Sequence, residues 1–549
     1  AQCSFSVGAI QENKETILNC FEEAESVESD IVIFPELAIT GYPPEDLLLR
    51  ESFIGKNFAV LEEIAAFSSH TSGVIGFVDR KNDSHNQDNN KRTIANAAAI
   101  VQNGDVRGIY HKSFLPNYSV FDEARYFSKG TEPNTLFWYD DIAIGINICE
   151  DIWIEDGPAE EQVKQGASLI ININASPYDI HKSETRKEIV MKKALKLNVP
   201  IIYLNMVGGQ DELVFDGGSF VVNDLGEIIY QASSFKEEVF HLDIDLKTNK
   251  QNDKSPLIIR PKTIELKDVE SKASLSKNES IYSALKLGLK DYVRKNKFTK
   301  VLIGISGGID SALTAAICVD ALGAENVIGV AMPYKYNSKD SLDDAIKLSD
   351  NLGITLKTIE IEKLVDDFRE TLTNSLNEDL GQITDENIQS RVRGNILMGL
   401  SNQTGAMVVS TGNKSEMAVG YSTLYGDLAG GFALIKDLYK TKVYELSNYI
   451  NSISDAIPKN IITKEPSAEL RPNQFDSDSL PDYEVLDKIL NLYIEEDSSS
   501  EKIIASGVNP DLVFDVLEKV DRNEYKRKQV APGVKLTQKA FGKDRRMPI

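Results

Sequence analysis

The stretch Val301–Ser311, VLIGISGGIDS, constrains this chain more than any other. Val301, Leu302, Ile303 and, after Gly304, Ile305 read as a buried parallel strand. Gly307 and Gly308 then turn the chain sharply into an apolar helix, ALTAAICVDALG. Paired glycines let backbone N–H groups close on an anion, and the helix start adds roughly half a positive charge. Ser306 and Ser311 supply hydroxyls, and Asp310 is placed to hold a divalent cation among phosphates. The usual ATPase loop needs Gly-x-x-x-x-Gly-Lys-Ser/Thr, and no lysine stands in the required place. This loop grips phosphate by other means.

The residues after it continue a β–α alternation. Asn326–Tyr334 and Ile354–Ile361 read as strands with an acidic helix between them, and Ser338-Lys339-Asp340-Ser341 reads as that helix's cap or, alternatively, as a mobile lid over the ligand. ENIQSRVRGNIL places Asn387, Arg391 and Asn395 four residues apart on one helix face. MVVSTGNKSEMAVGYSTLYGD follows as a second buried strand, turned by Thr411-Gly412-Asn413, with Glu416 beyond. Mg²⁺ takes few protein carboxylates beside phosphates, so Asp310 and Glu416 suffice for a site. The pattern predicts a Rossmann-like parallel sheet with its ligand at the strand ends.

Upstream, short apolar strands recur at Ile31–Phe34, Gly73–Val78, Ala97–Val101, Ile142–Ile148, Leu169–Ile173 and Ile201–Leu204, with helical stretches between. Asn223-Asp224-Leu225-Gly226 marks a hairpin, and 81–92 is a polar loop expected to be exposed. Just past strand ends stand Glu36 in IVIFPEL, Lys112 in GIYHKSFLPNY and Cys149 in IAIGINICEDIW. A thiol near neutral pH is only a few per cent thiolate, so a nucleophilic cysteine needs a base or cation beside it. Glu36 has the chemistry of that base, and Lys112 that of an oxyanion partner. On spacing alone they equally describe a buried small thiol and a structural ion pair.

Composition narrows the partners. Across 549 residues, 84 acidic against 60 basic side chains leave a net charge of −24, which argues against nucleic acid and anionic membranes. Cys3, Cys20, Cys149 and Cys318 form no metal-ligand spacing, and their scarcity fits a reducing, cytoplasmic setting. No run is long enough to span a bilayer and no signal-peptide pattern is present. The start at Ala1-Gln2 is abrupt, and a little sequence is expected upstream.

SGGIDS resembles the loop of ATP pyrophosphatases, which adenylate a carboxylate and release pyrophosphate. FPEL, YHKSFLPNYSVFDEARYF and NICEDIW together resemble the nitrilase superfamily. That resemblance implies an αββα sandwich in which Glu36 is general base, Lys112 oxyanion stabiliser and Cys149 nucleophile. It also suggests Tyr118, Ser176 and Lys182 for binding glutamine; Ser176 reads equally well as a turn residue. ENIQSRVRGN, STGNKSEMAVGY, the Lys464–Pro472 segment and EYKRKQ are similar to the NAD synthetase family, in its glutamine-using branch. This implies amidation of deamido-NAD, with ATP as substrate, Mg²⁺ as cofactor and glutamine as the ammonia source. By position, Gly304, Ile305, Ser306, Gly307, Gly308, Ile309, Asp310, Ser311, Thr411 and Lys440 would meet ATP. Asn387, Arg391, Glu416 and Lys526 would meet deamido-NAD, and Asp310 and Glu416 the metal. Lys440 reads equally as a surface helix lysine, and Lys526 as part of a solvated basic run. Leu424 departs from the lysine that ammonia-dependent members often carry.

The expected architecture is therefore α/β throughout: a nitrilase-like amidohydrolase domain over 1–245, a linker over 246–275 and an ATP-pyrophosphatase-type domain over 276–549. The fusion suggests a protected ammonia tunnel from Cys149 to Ser306, and the family resemblance a homo-oligomer. Two other readings remain. One is an ammonia-using ligase for another substrate, the other a nucleotide-binding regulatory module with an inactive amidase half.

Overall fold

The computed structural model describes residues 1–81, 93–139, 141–246 and 270–549. Residues 82–92 of the polar loop and 247–269 of the expected linker lie outside the described residues. The chain divides into two compact units, Ala1–Gln210 with Val214–Leu275, and Asp211–Leu213 with Ser276–Ile549.

The first unit stacks two sheets. One runs Ile31–Ile33, Ser72–Lys81, Thr93–Gln102, Asp105–His111 in spatial order. The other runs Ile228–Gln231, Phe220–Val222, Ile201–Asn205, Leu169–Asn174, Ile142–Ile148, Leu136–Tyr139, with its three inner neighbours, from Ile142 to Asn205, parallel. Period-two alternation sorts the side chains. Val74, Ala98 and Ile100 of the first sheet meet Ile144, Ile146, Ile148, Ile171 and Ile173 of the second in one core. Opposite-parity residues face outward to helices. Phe77 packs edge-on against Phe58 of helix Glu51–Phe67, with ring centroids 6.3 Å apart. Ile170, Ile201 and Tyr203 pack with Val190 and Ala194 of helix Lys182–Leu197. The result is an αββα sandwich. The hairpin forms at Asn223, whose side-chain oxygen accepts the N–H groups of Leu225 and Glu227 at 3.0 and 2.9 Å.

The second unit holds a five-stranded parallel sheet in the order Thr355–Thr358, Val327–Ala331, Val301–Gly304, Met407–Ser410, Phe432–Ala433. Winding reverses between the third and fourth of these strands. A crevice opens at such a switch point, beyond the strands' carboxyl ends. The strand expected over Ile354–Ile361 is shorter. Ile359 still donates its N–H to Ala331 O at 2.9 Å, but Ile361 already sits in the helical region as the N-cap of helix Glu362–Leu376. Ser338 caps helix Lys339–Leu352 by accepting from Ser341 N–H. Among the described residues no helix is long and apolar enough to cross a membrane.

Candidate active sites

Glu36, Lys112 and Cys149 come from three different strand ends and share one buried site in the first unit. Lys112 Nζ donates to Glu36 Oε1 at 2.7 Å, and to Glu123 Oε1 and Oε2 at 2.8 and 2.9 Å. Lys112 and Glu36 are wholly buried. The other Glu36 oxygen accepts Ala175 N–H at 3.0 Å, and Asn96 Nδ2 donates to Oε1 at 2.7 Å. Glu36 is thus held from three sides.

Glu123 is the principal residue that the sequence did not single out. Burial pushes its carboxyl up to about 7, although the Lys112 ammonium pulls the other way. Burial alone would lower the Lys112 ammonium, yet the flanking Glu123 and Glu36 hold it well above its ordinary value. Two carboxylates therefore share one lysine, and the site carries one surplus negative charge when both are ionised.

Cys149 opens the turn after strand Ile142–Ile148 at φ +44, a left-handed conformation that costs an L-residue about 1–2 kcal/mol. Strain of this kind survives only where neighbours enforce it. Asp151 does so: its Oδ2 accepts Ile148 N–H at 3.1 Å, and its Oδ1 accepts Ser113 and Phe114 N–H at 3.1 and 2.9 Å. The cysteine turn is thereby tied to the residues directly after Lys112. Burial pushes the Cys149 thiol up, Glu36 adds to the rise and Lys112 opposes it. The resting thiol is protonated, and a base is needed to make it a nucleophile.

The residues suggested for glutamine fall around this site. Tyr118 is 52% exposed and donates its hydroxyl to Glu150 Oε2 at 3.0 Å, one residue after Cys149. Lys182 Nζ stands 4.3 Å from the Trp153 ring centroid; its pKa is lowered by burial first and by Arg186 second. Ser176 is buried and accepts from Arg186 Nε at 3.2 Å.

In the second unit, the loop after Val301–Gly304 is internally bonded. Ser306 Oγ accepts Gly308 N–H at 3.2 Å, and Ser311 Oγ donates to Gly308 O at 2.9 Å. Gly307 has φ +80, and a Cβ there would meet Ser341 O at 2.2 Å. Ser306, Ser341, Arg393 and Thr411 line an open cleft that combines backbone, hydroxyl and cationic groups. The cleft lies at the switch point.

Beside the loop, Lys440 is 2% exposed and bridges Asp310 and Glu416, with Glu416 Oε1 at 3.2 Å. It is not a surface lysine. Asn413 caps helix Lys414–Val419 and also donates to Asp310 Oδ1 at 2.8 Å. Burial pushes Glu416 up to about 8; Lys440 opposes this, and Asp310 and Asp476 add to it. Among the described residues no three His, Cys, Asp or Glu side chains form a metal-ligand group. Two partly buried carboxylates nonetheless offer hard oxygen donors, and a bound cation would hold Glu416 in its ionised form, which fits Mg²⁺.

Three of the candidates for deamido-NAD converge on the loop that follows. Asn387 Oδ1 accepts Thr423 Oγ1 at 2.7 Å, Arg391 Nε donates to Leu424 O at 3.2 Å, and Lys526 Nζ donates to Gly420 O and Ser422 O at 2.7 and 2.8 Å. Lys526 is therefore anchored rather than solvated. From the segment Lys464–Pro472, Glu469 Oε1 accepts from Ser338 and Ser341 hydroxyls at 3.1 and 2.7 Å, beside the phosphate loop.

A buried Glu–Lys pair beside a strained cysteine, joined in one chain to a phosphate loop at a switch point, is the architecture of a two-domain amidohydrolase and nucleotide ligase. Comparison with known families agrees: residues 1–252 match carbon-nitrogen hydrolase and residues 281–530 match NAD synthase. The chain is 45% identical over 567 aligned positions to glutamine-dependent NAD(+) synthetase of Aquifex aeolicus, covering 100% of this chain and 98% of that one. It is 46% identical to the protein of the same name from Thermotoga maritima, covering 100% and 97%. Among solved structures, glutamine-dependent NAD+ synthetase from Acinetobacter baumannii in complex with ADP aligns at TM-score 0.75 and 42% identity, over 100% of this chain and 97% of that one. The chain belongs to the glutamine-dependent NAD(+) synthetases, a family of glutamine-hydrolysing ligases.

Proposed function

We propose that the first unit releases ammonia from glutamine at Cys149 and that the second uses it to amidate the nicotinate carboxylate of deamido-NAD, giving NAD, AMP, pyrophosphate and glutamate. One observation carries the reading: a buried Glu36–Lys112 pair with Cys149, and an SGGIDS loop at a switch point, stand in one chain.

In the amidase site, Glu36 takes the thiol proton and Cys149 attacks the amide carbon. Lys112, already oriented by two carboxylates, stabilises the oxyanion. Collapse of the adduct breaks the C–N bond as Glu36 returns its proton to the departing ammonia, and water then hydrolyses the thioester to glutamate and the free thiol. Tyr118, Ser176 and Lys182 hold glutamine.

In the synthetase site, a carboxylate is a poor electrophile until adenylation supplies a leaving group. Gly304–Ser311, Thr411 and Lys440 bind ATP; Asn387, Arg391, Glu416 and Lys526 bind deamido-NAD. Asp310 and Glu416 would hold Mg²⁺, which supplies charge neutralisation on the phosphates. Ammonia near pH 7 is mostly ammonium, so generating it within the same protein, with a protected path to the adenylate, answers its scarcity. Family resemblance and composition support a cytoplasmic homo-oligomer.

The test compares the native protein with Cys149→Ala for NAD formation from deamido-NAD, ATP and Mg²⁺, with glutamine and then with ammonium chloride. Loss of only the glutamine-driven reaction is expected. Retained glutamine-driven synthesis would overturn the amidase assignment, and no NAD from the native protein under either condition would overturn the ligase reading.

A further inference from the structure

Ser176 and Ala175 flank the amidase site, yet neither is rigid by itself: both lie in the irregular segment after strand Leu169–Asn174. Something must fix that segment, because Ala175 N–H donates to Glu36 Oε2 at 3.0 Å while Lys112 and Asn96 hold Oε1. The side chain that does so is Arg186, from the second turn of helix Lys182–Leu197.

Arg186 is 3% exposed and uses its whole fork. Nε donates to Ser176 Oγ at 3.2 Å, and Nη2 donates to Ser176 O at 2.7 Å and to Pro177 O at 2.8 Å. Nη1 donates to Asp216 Oδ1 at 2.6 Å, and Asp216 is buried as well. Asn205 completes the frame, accepting Ser176 N–H at 2.9 Å and donating to Ser176 O at 3.3 Å. Five bonds from two side chains thus converge on Ser176 and Pro177.

We infer that Arg186, oriented by Asp216, is a positioning residue of the amidase site, setting both Glu36 and Ser176 through the Ala175–Pro177 segment. The inference rests on the amidase reading given above. It has two chemical consequences. Ser176 Oγ accepts from a permanent cation, so its own proton is directed to another acceptor, as an oxygen of bound glutamine requires. Ala175 N–H keeps one Glu36 oxygen occupied, leaving the other to Lys112, Asn96 and the thiol proton.

A planar fork is needed for this, and lysine cannot replace it: an ammonium keeps the charge beside Asp216 but cannot reach Ser176 Oγ, Ser176 O and Pro177 O together. Arg186→Lys therefore tests position separately from charge. Steady-state glutamine hydrolysis, ammonium-driven NAD formation and the pH profile of Cys149 alkylation by iodoacetamide would be measured on the full chain. The native protein must first hydrolyse glutamine at Cys149; if it does not, the amidase reading fails and the question about Arg186 does not arise.

For R186K the expectation is a kcat/KM for glutamine lower by about tenfold to a hundredfold, from both a higher KM and a lower kcat. The alkylation profile of Cys149 should move, and ammonium-driven synthesis should stay within twofold. Asp216→Asn, which leaves the arginine in place but loosens it, should show the same pattern more weakly and covers the case in which R186K does not fold. Glutamine kinetics and alkylation profiles like those of the native protein in the folded variant would overturn the inference. So would equal losses with glutamine and ammonium, which mark general destabilisation.

Discussion

The ammonium of Lys112 lies 2.7 Å from Glu36 Oε1, and neither side chain touches solvent. Removing one partner of such a pair leaves an uncompensated buried charge, at a cost of about 3–5 kcal/mol. Here the cost is compounded, since Glu123 shares the same lysine. Lys112→Met should abolish glutamine hydrolysis and lower the urea midpoint of the first unit. Both tryptophans, Trp138 and Trp153, belong to that unit, so their fluorescence follows it selectively. An unchanged midpoint would mean that the buried charges are relieved by proton uptake at little cost.

Glu123 makes the first unit pH-sensitive in a definite direction. Its carboxyl is pushed up to about 7 in the folded protein, against about 4.3 when unfolded. The folded state therefore binds more protons across this window. The contribution is fully present below the unfolded value and is lost as pH rises through the folded one. Asp151, pushed up to about 6 by burial, acts in the same sense. Stability followed by tryptophan fluorescence should fall between pH 5 and 7.5, and Glu123→Gln should flatten the dependence without removing it. A slope identical in the variant would show that Glu123 is not the group responsible.

How much of this was legible depends on how local each signal is. The strand Val301–Gly304, the glycine turn after it and the Asn223 hairpin are contiguous, so periodicity and turn residues sufficed. Glu123 lies inside the quoted stretch YHKSFLPNYSVFDEARYF, yet no spacing assigns it a role until the fold sets it 2.8 Å from Lys112. Asp151 reaches back 38 residues to Ser113 and Arg186 forward 30 to Asp216, separations that no spacing rule covers. Lys440 was ambiguous for the same reason: burial against Asp310, 130 residues away, is a tertiary fact.

Buried Lys440 bridges two partly buried carboxylates, and its removal should be felt only in the synthetase reaction. Burial acts to lower its pKa, but Asp310 and Glu416 raise it above the ordinary lysine range, so the charge is permanent at neutral pH. Lys440→Met should reduce NAD formation from glutamine and from ammonium alike, by about a hundredfold if the charge meets phosphate in the transition state. Glutamine hydrolysis assayed by itself should persist. A loss confined to the glutamine-driven reaction would place Lys440 in coupling rather than in nucleotide chemistry.

Gly307 offers the sharpest separation of the two activities. At φ +80 an L-side chain is strained, and a Cβ would sit 2.2 Å from Ser341 O, a backbone atom that cannot rotate away. Relief would require the SGGIDS loop to move off helix Lys339–Leu352, and the loop's N–H groups would then leave the geometry that receives phosphate. Gly307→Ala should therefore abolish NAD formation with either nitrogen donor, weaken ATP binding measured by calorimetry, and leave alkylation of Cys149 unchanged. Gly308 makes the control, since its nearest obstacle is the Ser306 hydroxyl at 3.3 Å, which can turn aside. Gly308→Ala should retain more activity than Gly307→Ala; the reverse order would mean that the loop's contact with Ser341 is not what fixes the phosphate site.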